Sequence, residues 1–348
     1  MQLGWGICGC GLISRDFVTA LKCLPPEQHR VTGVAARSLE KAKKFKETEA
    51  LDSAQPFGSY DDLFNCSHVD VIYIATLNDS HYENVLKALN AGKHVLCEKP
   101  LGLNVKQVTE MVNCARKNKT FLMEAFWSRC FPVYQRIREE IERGGIGEVK
   151  FVVADFGFLK PDDQIGRILA PEGGGLLMDI GCYLIQLAQF AFGGEKPTRI
   201  HIEGWKHTGK DVDNTGSITL IYPKNRIAQL LYSASAPLAN RAEICGTKGR
   251  ILIPETFWCP TSLEVQKKGN SGLEERQVFG YELPQKENSH YNYINSQGLS
   301  YEADEVRRCI MNGLTESPLM SLEETIIIAE IMQECRRQLG IVFKADSH

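Results

Sequence analysis

The chain has 348 residues, 43% of them apolar and 24% charged. At a prior of roughly 150 residues per domain that length predicts two domains, and the composition excludes a disordered, collagenous or disulfide-scaffold chain. With 40 basic and 43 acidic residues the net charge is −3, so no basic field draws the chain to nucleic acid or an anionic membrane. No apolar run approaches the ~18 residues of a membrane-spanning helix. The start of the chain is apolar but glycine-rich, with no basic residue before Arg15, which is a poor signal peptide. The 12 cysteines include no C-x-x-C pair, and the 8 histidines show no ligand spacing. Buried free thiols in a reducing cytosol, and no metal, are the expectation.

Through residue 124 short β-branched runs alternate with helical patterns, as in a parallel sheet covered by helices. Strands are predicted at 3–8, 31–36, 69–75, 94–97 and 121–124. Helices are predicted at 13–24, 39–47, 81–91 and 105–117, the third closed by Gly92. Beyond Gly145 the strand-like runs are mostly separated by short turns: 150–156, 199–204, 217–222, 227–234, 241–245, 250–253 and 262–266. That texture predicts a largely antiparallel sheet. One helix, 176–192, interrupts it, and two more finish the chain. The last starts with Ser321-Leu322-Glu323-Glu324, a capping-box pattern. The domains are therefore 1–124 and 125–348.

A literal G-x-G-x-x-G at Gly4, Gly6 and Gly9 has no room for a preceding strand. The register that follows a strand and opens a helix is Gly9-Cys10-Gly11-Leu12-Ile13-Ser14, with Ser in the third position. Gly9 permits the tight turn, and Gly11 lets a pyrophosphate approach the helix N-terminus. Strand two ends in Ala35-Ala36-Arg37-Ser38, without the acid that usually holds a ribose 2′-hydroxyl. Arg37 attracts a 2′-phosphate and Ser38 can donate to it, so NADP is predicted over NAD. Cys10, beside this helix start, is a candidate for a lowered thiol pKa and sensitivity to peroxide.

Two further clusters carry chemistry. Cys97-Glu98-Lys99-Pro100 follows a predicted strand, at the sheet edge where ligands gather. Glu172-Gly173-Gly174-Gly175 precedes a helix with Asp179 and Tyr183 four apart, on one face. The glycines suggest backbone close to a ligand. A phenol has a pKa near 10, and a lysine cation lowers it, so Lys99 and Tyr183 form a sensible acid–base pair if the fold unites them. A surface lysine and a buried tyrosine bonded to a structural aspartate are the bland alternatives.

With these elements in this order the chain resembles the glucose–fructose oxidoreductase / inositol dehydrogenase family. Supporting stretches are Gly11-Leu12-Ile13-Ser14, Val34-Ala35-Ala36-Arg37, Glu98-Lys99-Pro100, Met123-Glu124-Ala125-Phe126-Trp127-Ser128-Arg129, Asp179-Ile180-Gly181-Cys182-Tyr183 and Gly246-Thr247-Lys248-Gly249. The resemblance runs nearly end to end. It implies an α/β Rossmann domain followed by an α+β substrate-binding domain whose open, mainly antiparallel sheet forms homodimers. It implies NADP-dependent oxidation of a small-molecule diol or sugar: trans-dihydrodiols to catechols, D-xylose to its lactone. Carried over, Lys99 and Tyr183 are catalytic, and Asp179 positions the substrate or the tyrosine. Cofactor contacts fall on Gly9, Gly11, Leu12, Ile13, Arg37, Ser38, Thr76, Asn78, His81, Glu98 and Lys99. Trp127, Arg129, Phe156, Asp179 and Tyr183 line the substrate pocket. Cys182, Asn78 and the loop 160–171 depart from the family pattern, all at pocket positions. Another sugar or polyol substrate is one alternative. A non-catalytic NADP-binding sensor is another, and it could dispense with Lys99 and Tyr183.

Overall fold

Strand β1 (Leu3–Cys8) is buried along its whole length and sits in the middle of a parallel sheet. The computed structural model describes residues 2–159, 166–268, 274–287 and 289–347. The other strands of this first sheet are β2 (His29–Ala35), β3 (Gln55–Phe57), β4 (Val71–Ile74), β5 (His94–Glu98) and β6 (Leu122–Ala125). Their order is β3-β2-β1-β4-β5-β6, every pairing is parallel, β1 and β4 are apolar and buried, and β6 is buried with Glu124 in it. That is how a sheet covered by helices on both faces reads. Crossovers run through α1 (Leu12–Leu21), α2 (Leu39–Thr48), α3 (Tyr60–Phe64), α4 (His81–Asn90) and α5 (Val105–Asn118). Helix α1 is amphipathic and buries Phe17, whose ring stacks on Tyr73 at 3.8 Å. It ends at Leu21, three residues before the predicted stop, because the chain turns ahead of Pro25 and Pro26.

The second sheet has eight strands: β7 (Val149–Gly157), β8 (Arg199–Lys206), β9 (Asp213–Tyr222), β10 (Arg226–Ser233), β11 (Ala242–Gly246), β12 (Gly249–Ile253), β13 (Ser262–Lys268) and β14 (Glu274–Gly280). Their order is β14-β13-β12-β11-β7-β10-β9-β8, antiparallel except for β7 beside β10. One face buries Val152, Ala154, Phe156, Ile218, Leu220, Ala228, Leu230 and Ile244. The opposite face leaves Phe151, Val153, Trp205, Leu231 and Val278 exposed. Cross-strand registers put those five on the same side. Helix α6 (Pro132–Glu142) precedes the sheet, and α7 (Cys182–Ala191) packs on β7 and β10. A π turn (Leu177–Gly181) leads into α7, so the single predicted helix 176–192 is in fact two differently wound pieces. Helices α8 (Leu299–Met311) and α9 (Leu322–Gln338) close the chain. At the start of α9 the Glu324 N–H donates to Ser321 Oγ at 3.2 Å, as the capping box requires. The Glu324 carboxylate takes Arg129 instead of reaching back along the backbone.

The chain folds as two compact units. One comprises Met1–Gly102, Lys106–Cys130 and Leu283–Thr325; the other comprises Leu103–Val105, Phe131–Glu282 and Ile326–His348. The first unit therefore recruits a segment from far along the chain, a return that a two-block division at 124/125 does not contain.

Buried acids hold the irregular parts. Asp16 of α1 is fully buried and accepts from Asn292 N (2.8 Å), Asn292 Nδ2 (2.6 Å), Tyr293 N (2.9 Å) and Ser296 Oγ (2.6 Å). It thereby fastens the returning segment to α1. Glu124 of β6 accepts the Leu101 N–H at 2.9 Å. Burial pushes its carboxyl up to about 7, against the pull of that hydrogen bond and of Arg129 and Lys99. In the second unit Asp213 of β9 accepts the Leu177 N–H at 2.6 Å, and burial pushes it up to about 6.

Asp16→Ala should lower the unfolding free energy by about 3 kcal/mol, read by urea denaturation, because four donors lose a buried acceptor. Glu124 has a folded pKa above its unfolded one, so its stabilisation is greatest below about 4.5 and is lost as pH rises to about 7. Measured across that window, Glu124→Gln should gain on the native protein by up to about 3 kcal/mol. A constant difference between the two proteins would assign the pH dependence elsewhere.

Candidate active site

In the first unit one row of residues crosses the sheet: Ala35, Cys8, Ile74, Cys97 and Glu124 are successive register partners. All five strands run the same way, so the chain leaves them at one edge. Gly9–Gly11 follow β1, Arg37 and Ser38 follow β2, Thr76 and Asn78 follow β4, and Lys99 follows β5. Gly9 has φ +102°, and a Cβ there would lie 2.7 Å from Ala75 O, so the tight turn requires glycine. Around Gly11 nothing lies within 4 Å of a Cβ position. Gly11 is also the N-cap of α1, and it offers the first-turn N–H groups no side-chain acceptor. Leu12 is exposed, Ile13 half-buried and Ser14 fully buried, as close packing at the third motif position demands. Arg37 and Ser38 are exposed. Ser38 Oγ accepts the Lys41 N–H at 3.3 Å as N-cap of α2, which leaves its proton for donation outward. The Cys10 thiol is pushed up to about 11 by burial, with Arg15 opposing. Desolvation outweighs the Arg15 charge, so the shift runs opposite to the expected direction.

The turn bearing Lys99 is held from two sides. The Lys99–Pro100 peptide is cis. His81 Nδ1 lies 2.9 Å from Pro100 O, and Nε2 lies 3.3 Å from Thr76 O. Both partners are acceptors, so a neutral ring donates to only one of them. Burial lowers the His81 pKa and favours that neutral ring, although both carbonyl contacts oppose it. His81 is fully buried and bridges the turns after β4 and β5. Glu124 secures the next N–H, that of Leu101. Glu98 accepts the Tyr73 hydroxyl at 2.5 Å. Glu302 of α8, which sequence reasoning missed, is fully buried, and burial followed by the charge of Glu98 raises its pKa. Trp127 is buried, and Arg129 is 1% exposed. The Arg129 guanidinium donates to Glu324 Oε1 at 3.0 Å and Leu319 O at 3.3 Å, so its charge is engaged by protein groups.

The second unit carries Phe156, Asp179 and Tyr183. Asp179 lies in the π turn and Tyr183 in the first turn of α7, with exposures of 6% and 8%. The Phe156 ring lies 6.2 Å from that of Tyr183 and stacks on Trp258 at 3.8 Å. Trp258 extends this aromatic wall and carried no motif to betray it. Arg167 Nη1 pairs with Asp179 Oδ1 at 2.5 Å. Residues 160–165 of the divergent loop lie outside the described residues.

Two of the three glycines are required by the chain itself. A Cβ on Gly174 would run into the Ala170 and Ile168 carbonyls, and one on Gly175, at φ +98°, into Asp213 Oδ1. What comes close to this backbone is the protein's own loop and its capping acid. Among the described residues no group of three His, Cys, Asp or Glu could hold a metal, and no helix is long and apolar enough to cross a membrane.

Comparison with known proteins fits this architecture. Residues 3–126 match the family model described as "Oxidoreductase family, NAD-binding Rossmann fold", and residues 134–252 match the GFO/IDH/MocA C-terminal domain. A trans-1,2-dihydrobenzene-1,2-diol dehydrogenase from Xenopus laevis is 45% identical over 345 residues, covering 99% of this chain and 100% of the relative. One from Danio rerio is 43% identical over 351 residues, covering 100% of both. Among solved structures, a 3-ketoreductase from Actinomadura kijaniata in complex with NADP and TDP-benzene is similar, with TM-score 0.78 and 27% identity over 97% of this chain and 98% of that one. A levoglucosan dehydrogenase in complex with NADH and levoglucosan shares the fold, with TM-score 0.83 and 18% identity over 98% of both chains. The chain belongs to the GFO/IDH/MocA family of oxidoreductases with an NAD-binding Rossmann fold.

Proposed function

We propose that the chain is an NADP-dependent dehydrogenase that oxidises a hydroxyl of a vicinal diol or an aldopyranose, taking trans-1,2-dihydrobenzene-1,2-diol to catechol and D-xylose to its lactone. The observation that carries this reading is the end-to-end likeness to the Xenopus laevis dehydrogenase, 45% over 99% of the chain. The diol is that relative's named substrate, and its extension to this chain and to an aldopyranose is our inference.

The open space at Gly11, together with the uncapped N-terminus of α1, fits a dinucleotide pyrophosphate. Arg37 and Ser38, exposed just past β2, fit a 2′-phosphate and supply no carboxylate to repel it. When bound, NADP+ supplies the hydride acceptor. In the proposed reaction Tyr183 takes the proton from the substrate hydroxyl as the adjacent carbon gives up hydride with its electron pair. Lys99 contributes the cation that favours a phenolate, and Asp179 orients the hydroxyl. Phe156 and Trp258 supply apolar wall on the Tyr183 side. His81 and Glu124 act one step back, by fixing the turn that carries Lys99. The exposed row Phe151, Val153, Leu231, Trp205 and Val278 supports a homodimer formed through the open sheet face. Twelve free thiols support a reducing, cytosolic setting.

NADPH formation followed at 340 nm should appear with the dihydrodiol or D-xylose and be weak with NAD+. Silence on diols and aldoses alike, with NADPH still bound, would replace the enzyme by a sensor. Arg37→Glu should raise KM for NADP+ by about 100-fold and affect NAD+ little, because it exchanges an attractive charge for a repulsive one. An unchanged KM would return the cofactor choice to another residue. Tyr183→Phe should keep NADPH affinity and lose at least about 100-fold in kcat. Turnover near the native rate would remove Tyr183 from the role of base.

A further inference from the structure

Arg167 matches no motif, yet the backbone is built to deliver it. The Gly175 N–H donates to Ile168 O at 2.7 Å, and the Ala170 N–H to Arg167 O at 3.4 Å. Ile168 is 6% exposed, so the loop is anchored from below. A side chain at Gly174 would collide with the carbonyls of Ile168 and Ala170. The absence of a side chain at Gly174 therefore lets residues 168–170 approach the backbone ahead of the helix. The result is the contact between Arg167 Nη1 and Asp179 Oδ1 at 2.5 Å. The Asp179 side chain is 8% exposed and that of Arg167 53%, so the carboxylate sits inside and the guanidinium closes it from the solvent side.

We propose that Arg167 is a positioning residue that sets substrate specificity, by holding Asp179 in a charge-neutral pair one helical turn from Tyr183. The inference rests on the reading of Asp179 and Tyr183 as site residues. A carboxylate fixed by a planar guanidinium meets a substrate hydroxyl already oriented, so less freedom is lost on binding. The pair carries no net charge, which matches an uncharged polyhydroxylated substrate. Without Arg167 the inner carboxylate loses this cation and the orientation it imposes. Being half-exposed, Arg167 bears little of the fold, so its loss is read at the site.

The test compares Arg167→Ala, Arg167→Lys, Asp179→Asn and the double variant Arg167→Ala/Asp179→Asn, with the diol or aldose that the native enzyme turns over. Arg167→Ala should raise KM for that substrate about tenfold, with NADPH affinity and thermal midpoint unchanged. Arg167→Lys should recover only part of the loss, since an ammonium restores the charge without the planar fork. In the Asp179→Asn background the Arg167→Ala change should cost little more, because the interaction is already gone. A native KM in Arg167→Ala, or an equal loss in both backgrounds, overturns the proposal. Tyr183→Phe separates the two readings. If it retains turnover, the base assignment fails, while the coupling between Arg167 and Asp179 still decides this proposal.

Discussion

A carboxylate taken out of water is costly unless donors turn to meet it, and in this protein the donors are mostly backbone N–H groups of irregular segments. Asp16 gathers the stretch around Asn292 to Ser296, Glu124 takes Leu101, and Asp213 takes Leu177. Each acid stands on a regular element and each donor lies beyond one. The sheets and helices could form without these bonds. Glu124, with His81, fixes the turn that carries Lys99, and Asp213 fixes the π turn that carries Asp179. The chemistry proposed for the molecule therefore leans on two buried acids, Glu124 and Asp213, that take no part in it themselves, while Asp16 secures the returning segment.

The first sheet was legible because its signals are local. Apolar strands, helical periods between them, and glycines at Gly9 and Gly11 all occur within a few residues of what they determine. The mainly antiparallel second sheet was legible for the same reason, through alternating strands and short turns. Short elements escaped: β3 has three residues and α3 five, too few to show a period. Helix α6 and strand β14 also went unseen. The parallel pair of β7 and β10 could not be read, because pairing joins strands separated in the chain by α7, β8 and β9.

The candidate site divides in the same way. Gly9, Gly11, Arg37, Thr76, Asn78 and Lys99 emerge at one sheet edge, as motifs that follow strands should. Arg167, Asp213, Trp258 and Glu302 have no motif, since each matters through a partner remote in sequence or through burial alone. Gly174 and Gly175 show a close approach whose partner no motif announces. Their lack of side chains does mark close approach, but of the chain to itself. His81 and Arg129, placed at the site by resemblance alone, are both buried, and each also bonds to protein groups that no motif announces.

The return of Leu283–Thr325 to the N-terminal unit bears on how the molecule is made. Asp16 meets Asn292 across 276 residues of chain. During synthesis the first sheet leaves the ribosome long before the segment that completes its unit, and ordering such distant contacts is entropically slow. In that interval the unit exists as a sheet with an unsatisfied acid on α1 and one flank uncovered. The nascent chain thus passes through a period in which its nucleotide-binding half is nearly formed but still open to aggregation and to chaperones.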